Sequence, residues 1–140
     1  MLLLKDLNPV TATLFAAEER LEFLPSLFGY KLMVRGEALI FDWMRSLSKN
    51  YDGGFWNYFK LSNGGFYMAP ASTNFYSVSC PGNQFEGVMS ANAVGIVSTL
   101  FALGQLAAES ESGSIVDHYF LVLEYVEYHP ERSLIFKAID

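Results

Sequence analysis

Apolar side chains change their spacing along this chain, and each change marks a different kind of element. Between residues 37 and 47, Leu39, Ile40, Trp43, Met44 and Leu47 recur at intervals of three and four, the repeat that lines one face of an α-helix. Asp42, Arg45 and Lys49 fall off that stripe, and Asp42 with Arg45 forms an i,i+3 pair. Residues 14 to 24 predict an earlier helix, with Glu18 and Glu19 in its first turns and Pro25 ending it. The spacing then drops to two. In Phe75-Tyr76-Ser77-Val78-Ser79-Cys80, the residues Tyr76, Val78 and Cys80 share one face and the two serines take the other. Strands are predicted at 55–61, 66–69, 75–80 and 85–89, joined by short connectors rich in Gly, Asn, Ser and Pro.

The helical repeat returns at Ala91, with Ser90 placed to cap it. Val94, Val97, Phe101, Gly104 and Ala108 trace the side expected to be most buried, while Asn92, Thr99 and Gln105 lie away from it. Gly95 and Gly104 each cost about 1 kcal/mol relative to Ala inside a helix, a cost that close packing against a neighbour would explain. Ser114 and Asp117 have capping-box spacing and open a predicted helix over 115–129 that buries Val116, Tyr119, Leu123 and Val126. Beyond Pro130 a short helix carries Leu134, Ile135 and Ala138. The order predicts one α+β domain over 1–140, an antiparallel three- to four-stranded meander packed with N-terminal and C-terminal helices. A doubly wound parallel sheet would need strands alternating with crossover helices, and that alternation is absent.

Composition supports a single buried core: 51% of 140 residues are hydrophobic, with 12 Phe and 8 Tyr. Met1-Leu2-Leu3-Leu4 is followed at once by Lys5 and Asp6, so no signal peptide is read there. The apolar stretch 91–108 contains Asn92, Ser98, Thr99 and Gln105 and falls just short of a bilayer span, which predicts a core helix and no membrane. The single cysteine, Cys80, excludes an internal disulfide framework and fits a reducing cytoplasm.

Charge divides the chain. Residues 1–85 carry seven acidic and seven basic side chains, and residues 86–140 carry eight acidic and two basic, which accounts for the whole net charge of −6. No Lys or Arg occurs between Lys60 and Arg132. Such a surface repels phosphate backbones and predicts no direct nucleic-acid binding. Asp117, Glu124 and Glu131 follow a period of seven with Glu127 beside them, and Glu109 and Glu111 extend the run. This stripe is either a solvated helix face or a docking surface for a basic partner. From Asp117 to Glu131 it is a poor copy of DNA: over the ~21 Å that part would span as a helix, a duplex shows about twelve charges against the four of Asp117, Glu124, Glu127 and Glu131.

Catalytic chemistry finds no footing. His118 and His129 are the only histidines, about 16 Å apart along one helix, and there is no HExxH or CxxC. No metal, cofactor or catalytic residue is predicted. A small hydrolase would need Cys80, His129 or Glu86 to converge, and a packed core thiol is the expected role of Cys80.

The block Tyr51 to Pro70 reads as a hairpin whose turn is Asn63, Gly64 and Gly65, residues suited to a φ above zero. Tyr51-Asp52-Gly53-Gly54 followed by Leu61-Ser62-Asn63-Gly64-Gly65-Phe66-Tyr67-Met68-Ala69-Pro70 resembles the signature of the ArdB/KlcA-type antirestriction proteins. Phe23-Leu24-Pro25, Phe28-Gly29, Trp43-Met44, Phe85-Glu86-Gly87, Ser90-Ala91, Ala93, Gly95-Ile96-Val97, the run Thr99 to Gly104, His129-Pro130-Glu131 and Ile139-Asp140 are also similar to that family. The likeness covers roughly residues 15 to 140. It implies a bacterial protein of plasmids and other mobile elements that protects incoming DNA from host type I restriction, chiefly by blocking cleavage while leaving modification largely intact. The implied partner is the type I restriction enzyme complex or one of its subunits, reached by protein contact; the sequence leaves the oligomeric state open, with a monomer favoured. An acidic regulatory or assembly module for another basic protein is the alternative reading.

Overall fold

The computed structural model describes residues 8 to 140. Helices flank a central run of antiparallel strands, giving the α+β meander with N-terminal and C-terminal helices. The elements are β1 (Ala12–Leu14), a 3-10 helix (Ala17–Glu22), α1 (Phe23–Leu47), β2 (Trp56–Leu61), β3 (Phe66–Pro70), β4 (Phe75–Cys80) and β5 (Phe85–Ser90). There follow α2 (Ala91–Ser110), α3 (Gly113–Val126) and α4 (Arg132–Ile139). The strands form two antiparallel sheets, one ordered β1-β2-β3 and one of β4-β5. Tyr58 pairs with Met68 in the first and Val78 with Gly87 in the second.

The N-terminal helix expected over 14–24 is instead β1, the 3-10 helix and the start of α1. Three residues are too few for alternation to show in the sequence, yet Thr13 pairs with Lys60 and Leu14 with Phe59 along β2. Pro25 does not end a helix; it sits in the first turn of α1, where a missing N–H leaves no bond unmade. The predicted helix 37–47 is the second part of this α1. Gly29, at φ 76° and ψ 160°, interrupts α1 and kinks it, a conformation that glycine adopts without steric cost. Leu39, Ile40, Met44 and Leu47 are buried as the stripe predicts.

α2 is the centre of the core. Its Ser90 cap accepts the Ala93 N–H, as expected. Its buried arc is wider than predicted, because α1, β3, α3 and α4 all pack on it. Thr99 is buried rather than outward, bonded to the Met68 backbone at 3.4 Å. Gly104 and Ala108 are exposed, and Phe101 is half-buried against Trp43, ring centroids 4.6 Å apart. Gly95 lies against β3 so closely that a Cβ there would stand 2.3 Å from the Ala69 Cβ and 2.6 Å from the Met68 carbonyl oxygen. At 20 residues and mean hydropathy 1.5, α2 reaches spanning length, longer than the sequence suggested, but 67% of its most apolar window is buried inside the protein.

α3 begins two residues before Ile115, with Ser112 at its N-cap position, so Ser114 and Asp117 do not form the expected capping box. The helix also ends at Val126 rather than His129. Ile115, Val122 and Val126 are buried, Tyr119 and Leu123 half-buried, and Val116 faces outward.

The β4-β5 hairpin alternates as read: Tyr76, Val78 and Cys80 are buried, and Phe75, Ser77 and Ser79 are exposed. Beside β4, the Asn50 side chain accepts the Ser77 N–H at 3.0 Å and donates to the Phe75 carbonyl at 3.3 Å. One carboxamide thus fills the place of a neighbouring strand.

Candidate functional site

The turn predicted at Asn63, Gly64 and Gly65 joins β2 to β3 and seats the hairpin on α3. Gly64 holds the positive φ, 94°, and donates its N–H to the Leu61 carbonyl at 3.0 Å. Gly65 is needed for space instead: a Cβ there would lie 2.9 Å from the Leu121 Cβ. The Asn63 amide donates to the Leu121 carbonyl at 2.9 Å and to Glu124 at 2.8 Å, while its Oδ1 accepts the Gly65 N–H at 2.9 Å. The recognisable sequence block therefore reaches the acidic helix directly.

On α3, the geometry of 3.6 residues per turn places Asp117, Glu124 and Glu127 within an arc of about 80°. All three are exposed. Phe120, 59% exposed, stands inside that arc, and Val116, 40% exposed, borders it. The sequence reading placed Val116 on the buried side and overlooked Phe120; an apolar i,i+4 pair among the acidic positions was the available signal.

The six predicted acidic residues are not equivalent. Glu109 pairs with Arg35 through two hydrogen bonds of 2.7 and 3.1 Å, and also accepts from Gln105. The Arg35 guanidinium, with Gln105, holds its carboxyl down to about 2. Glu111 ends α2 with φ 56°, exposed at the turn into α3. Glu127 lies 3.8 Å from Arg132. Glu131 is half-buried: its carboxylate accepts the Ser90 N–H at 2.9 Å and the Ser90 hydroxyl, tying the start of α4 to the start of α2. Glu109 and Glu127 each have a cation beside them, so the stripe is still less like DNA than its sequence implied.

Behind it lies a buried polar chain. The Glu131 N–H donates to His129 Nδ1 at 3.0 Å, which leaves the imidazole proton on Nε2, 2.8 Å from the Asn92 side-chain oxygen. The Asn92 amide in turn donates to the Tyr67 hydroxyl at 3.0 Å. Burial lowers the His129 pKa and raises that of the Tyr67 phenol. Burial also lowers the His118 pKa; its Nδ1 is enclosed without a hydrogen-bond partner.

The residues a hydrolase would need stand apart. Cys80 pairs with Phe85 at one end of the hairpin, whereas Ser90, next to the His129 network, pairs with Phe75 at the other. Five strand positions separate Cys80 from Phe75, about 17 Å. Glu86 lines an open groove of about 770 Å³ with Lys49, Ser77 and Ser79, and neither Cys80 nor His129 lines it. Burial raises the Cys80 pKa, away from a reactive thiolate. Among the described residues no three His, Cys, Asp or Glu side chains gather to hold a metal ion.

Residues 49–140 match the family model described as antirestriction protein. Two proteins named antirestriction protein KlcA from Escherichia coli are similar throughout. One is 48% identical over 137 residues, covering 95% of this chain and 96% of the relative. The other is 45% identical over 139 residues, covering 95% of each. A solved structure at 49% identity superposes with a TM-score of 0.87 over 95% of this chain and 96% of its own. It belongs to work on KlcA and ArdB proteins describing a novel fold and antirestriction activity against Type I DNA restriction systems in vivo but not in vitro.

Proposed function

This chain belongs to the antirestriction protein family, and from that premise we propose that it protects incoming mobile-element DNA by inhibiting host type I restriction through protein contact. The observation that carries this reading is the near full-length agreement with the solved relative in both sequence and backbone. That relative's activity in vivo but not in vitro calls for a test in living cells rather than with purified enzyme. The work would be done in the cytoplasm, on the type I complex or one of its subunits.

The contact surface we assign is the exposed arc of α3, with Asp117, Glu124 and Glu127 around Phe120, extended toward Glu111 and Glu109. Low-dielectric apolar surface framed by carboxylates suits a basic protein patch, steering its approach and excluding water once docked. Glu131 contributes by tying the start of α4 to the start of α2. Direct DNA binding is disfavoured by the sign of the charge, and mimicry of DNA by its density.

The test is phage plating on cells carrying a type I system, with and without this protein. Wild type should raise plating by at least tenfold while modification persists. Unchanged plating would refute the function. An Asp117→Lys/Glu127→Lys variant should lose most protection with its melting temperature nearly unchanged, since exposed charges and exposed ion pairs contribute little to stability. Full protection by that variant at equal expression would remove the assigned surface and leave the function standing.

A further inference from the structure

We propose that two copies of this chain associate through the surface around Leu21, Tyr30 and Val34. These are the three most exposed large apolar side chains among the described residues, at 92%, 81% and 75%. The kink at Gly29 creates the arrangement. It folds Phe28 back over Gly36, where a Cβ would stand 2.5 Å from the ring, and leaves Tyr30 outside. Leu21 and Tyr30 then line one shallow groove of about 510 Å³ with Glu22, Pro25 and Ser26. Val34 follows Tyr30 one turn along α1, on the same face.

Area and charge both point to a second copy as the occupant. The three side chains expose on the order of 450 Å², the size at which a surface patch on a monomer is commonly functional. In a two-fold arrangement each copy buries the same patch, so these residues alone supply about 900 Å², and their polar rim brings the total into the range of a specific dimer. The rim carries Glu22 and Lys31, neither of which has an ion-pair partner among the described residues. Across a two-fold axis, Glu22 of each copy can meet Lys31 of the other. The exposed arc of α3 cannot serve in this way, because two copies would set Asp117, Glu124 and Glu127 against their own counterparts. Association around Leu21 and Tyr30 uses none of the acidic residues of α3.

Sedimentation equilibrium from about 1 to 200 µM tests this across the usual range of weak dimers. The wild type should move with concentration from 15.7 kDa toward twice that mass. Leu21→Asp/Tyr30→Asp should stay at the monomer mass with an unchanged circular-dichroism spectrum. Glu22→Lys should weaken the dimer at least tenfold, and adding Lys31→Glu to it should restore association. A wild type that remains a monomer at every concentration overturns the proposal. So does a Leu21→Asp/Tyr30→Asp variant that still dimerises, or a charge swap that fails to restore what Glu22→Lys removed.

Discussion

Replacing Gly95 with Ala and Gly104 with Ala should move stability in opposite directions, although both sit in the same helix. At Gly95 the new Cβ would meet the Ala69 Cβ at 2.3 Å, its Cα at 2.5 Å and the Met68 carbonyl oxygen at 2.6 Å. Two of those three atoms are backbone, so no side chain can rotate away. Restoring ordinary contact requires α2 and β3 to separate by more than about 1 Å, in a region packed too tightly to yield without loss elsewhere. Overpacking of this kind costs about 1–3 kcal/mol, and the backbone contact places Gly95→Ala at or above the upper end. The helix propensity gained by removing glycine returns only about 1 kcal/mol. The net expectation is a loss of about 2–3 kcal/mol, or roughly 6–10 °C in melting temperature for a domain of this length. At Gly104 the nearest atom is Tyr119 Cε2 at 3.9 Å, ordinary contact. Gly104→Ala should therefore gain close to the full propensity difference, about 0.5–1 kcal/mol. Urea denaturation of both variants measures this. Equal stability of Gly95→Ala and wild type, or a Gly104→Ala less stable than Gly95→Ala, would refute the packing argument.

Cys80→Ala should keep full protection in the plating assay, and the native Cys80 thiol should react with a thiol reagent far more slowly than in urea; a folded but inactive Cys80→Ala would revive nucleophilic chemistry. The pKa values of His118 and His129 are both lowered by burial, so the unfolded chain takes up protons first as pH falls. Their contribution to stability is complete above the ordinary histidine pKa of about 6.5 and declines as pH drops through it toward the lower folded values. The urea midpoint should accordingly fall between pH 7.5 and 5.5 in the wild type, and fall less in a His118→Gln/His129→Gln protein; an equal fall in both would remove the histidines as the cause.

Local patterns served the strands well, and tertiary packing governed what they missed. Each of the four predicted strands lies within one residue of its observed limits, because alternation in 75–80 and the turn residues around Gly64 and Pro81 are local signals. β1 was hidden by its length. Thr99 and Gly104 were placed on the wrong sides of α2 because a helix enclosed by four neighbours has no single apolar stripe. The acidic run was legible in order but not in role: nothing in the sequence distinguishes Glu131, bonded to Ser90, or Glu109, paired with Arg35, from the open Asp117. Those distinctions depend on partners 41 and 74 residues away.

The Asn50 carboxamide has a consequence for what happens before the fold is complete. β4, with the sequence Phe-Tyr-Ser-Val-Ser-Cys, is six residues long, rich in β-formers, and free of charge, proline and glycine. That composition is the signature of a segment able to stack in register with copies of itself. In the finished molecule Asn50 occupies the Phe75 and Ser77 backbone groups on its open edge. Until the end of α1 has docked, the same edge is bare. Nascent chains crowded together after rapid synthesis would therefore partition between correct closure by one asparagine and fibrous assembly, and an Asn50→Ala protein would tip toward the fibre on refolding while losing little equilibrium stability.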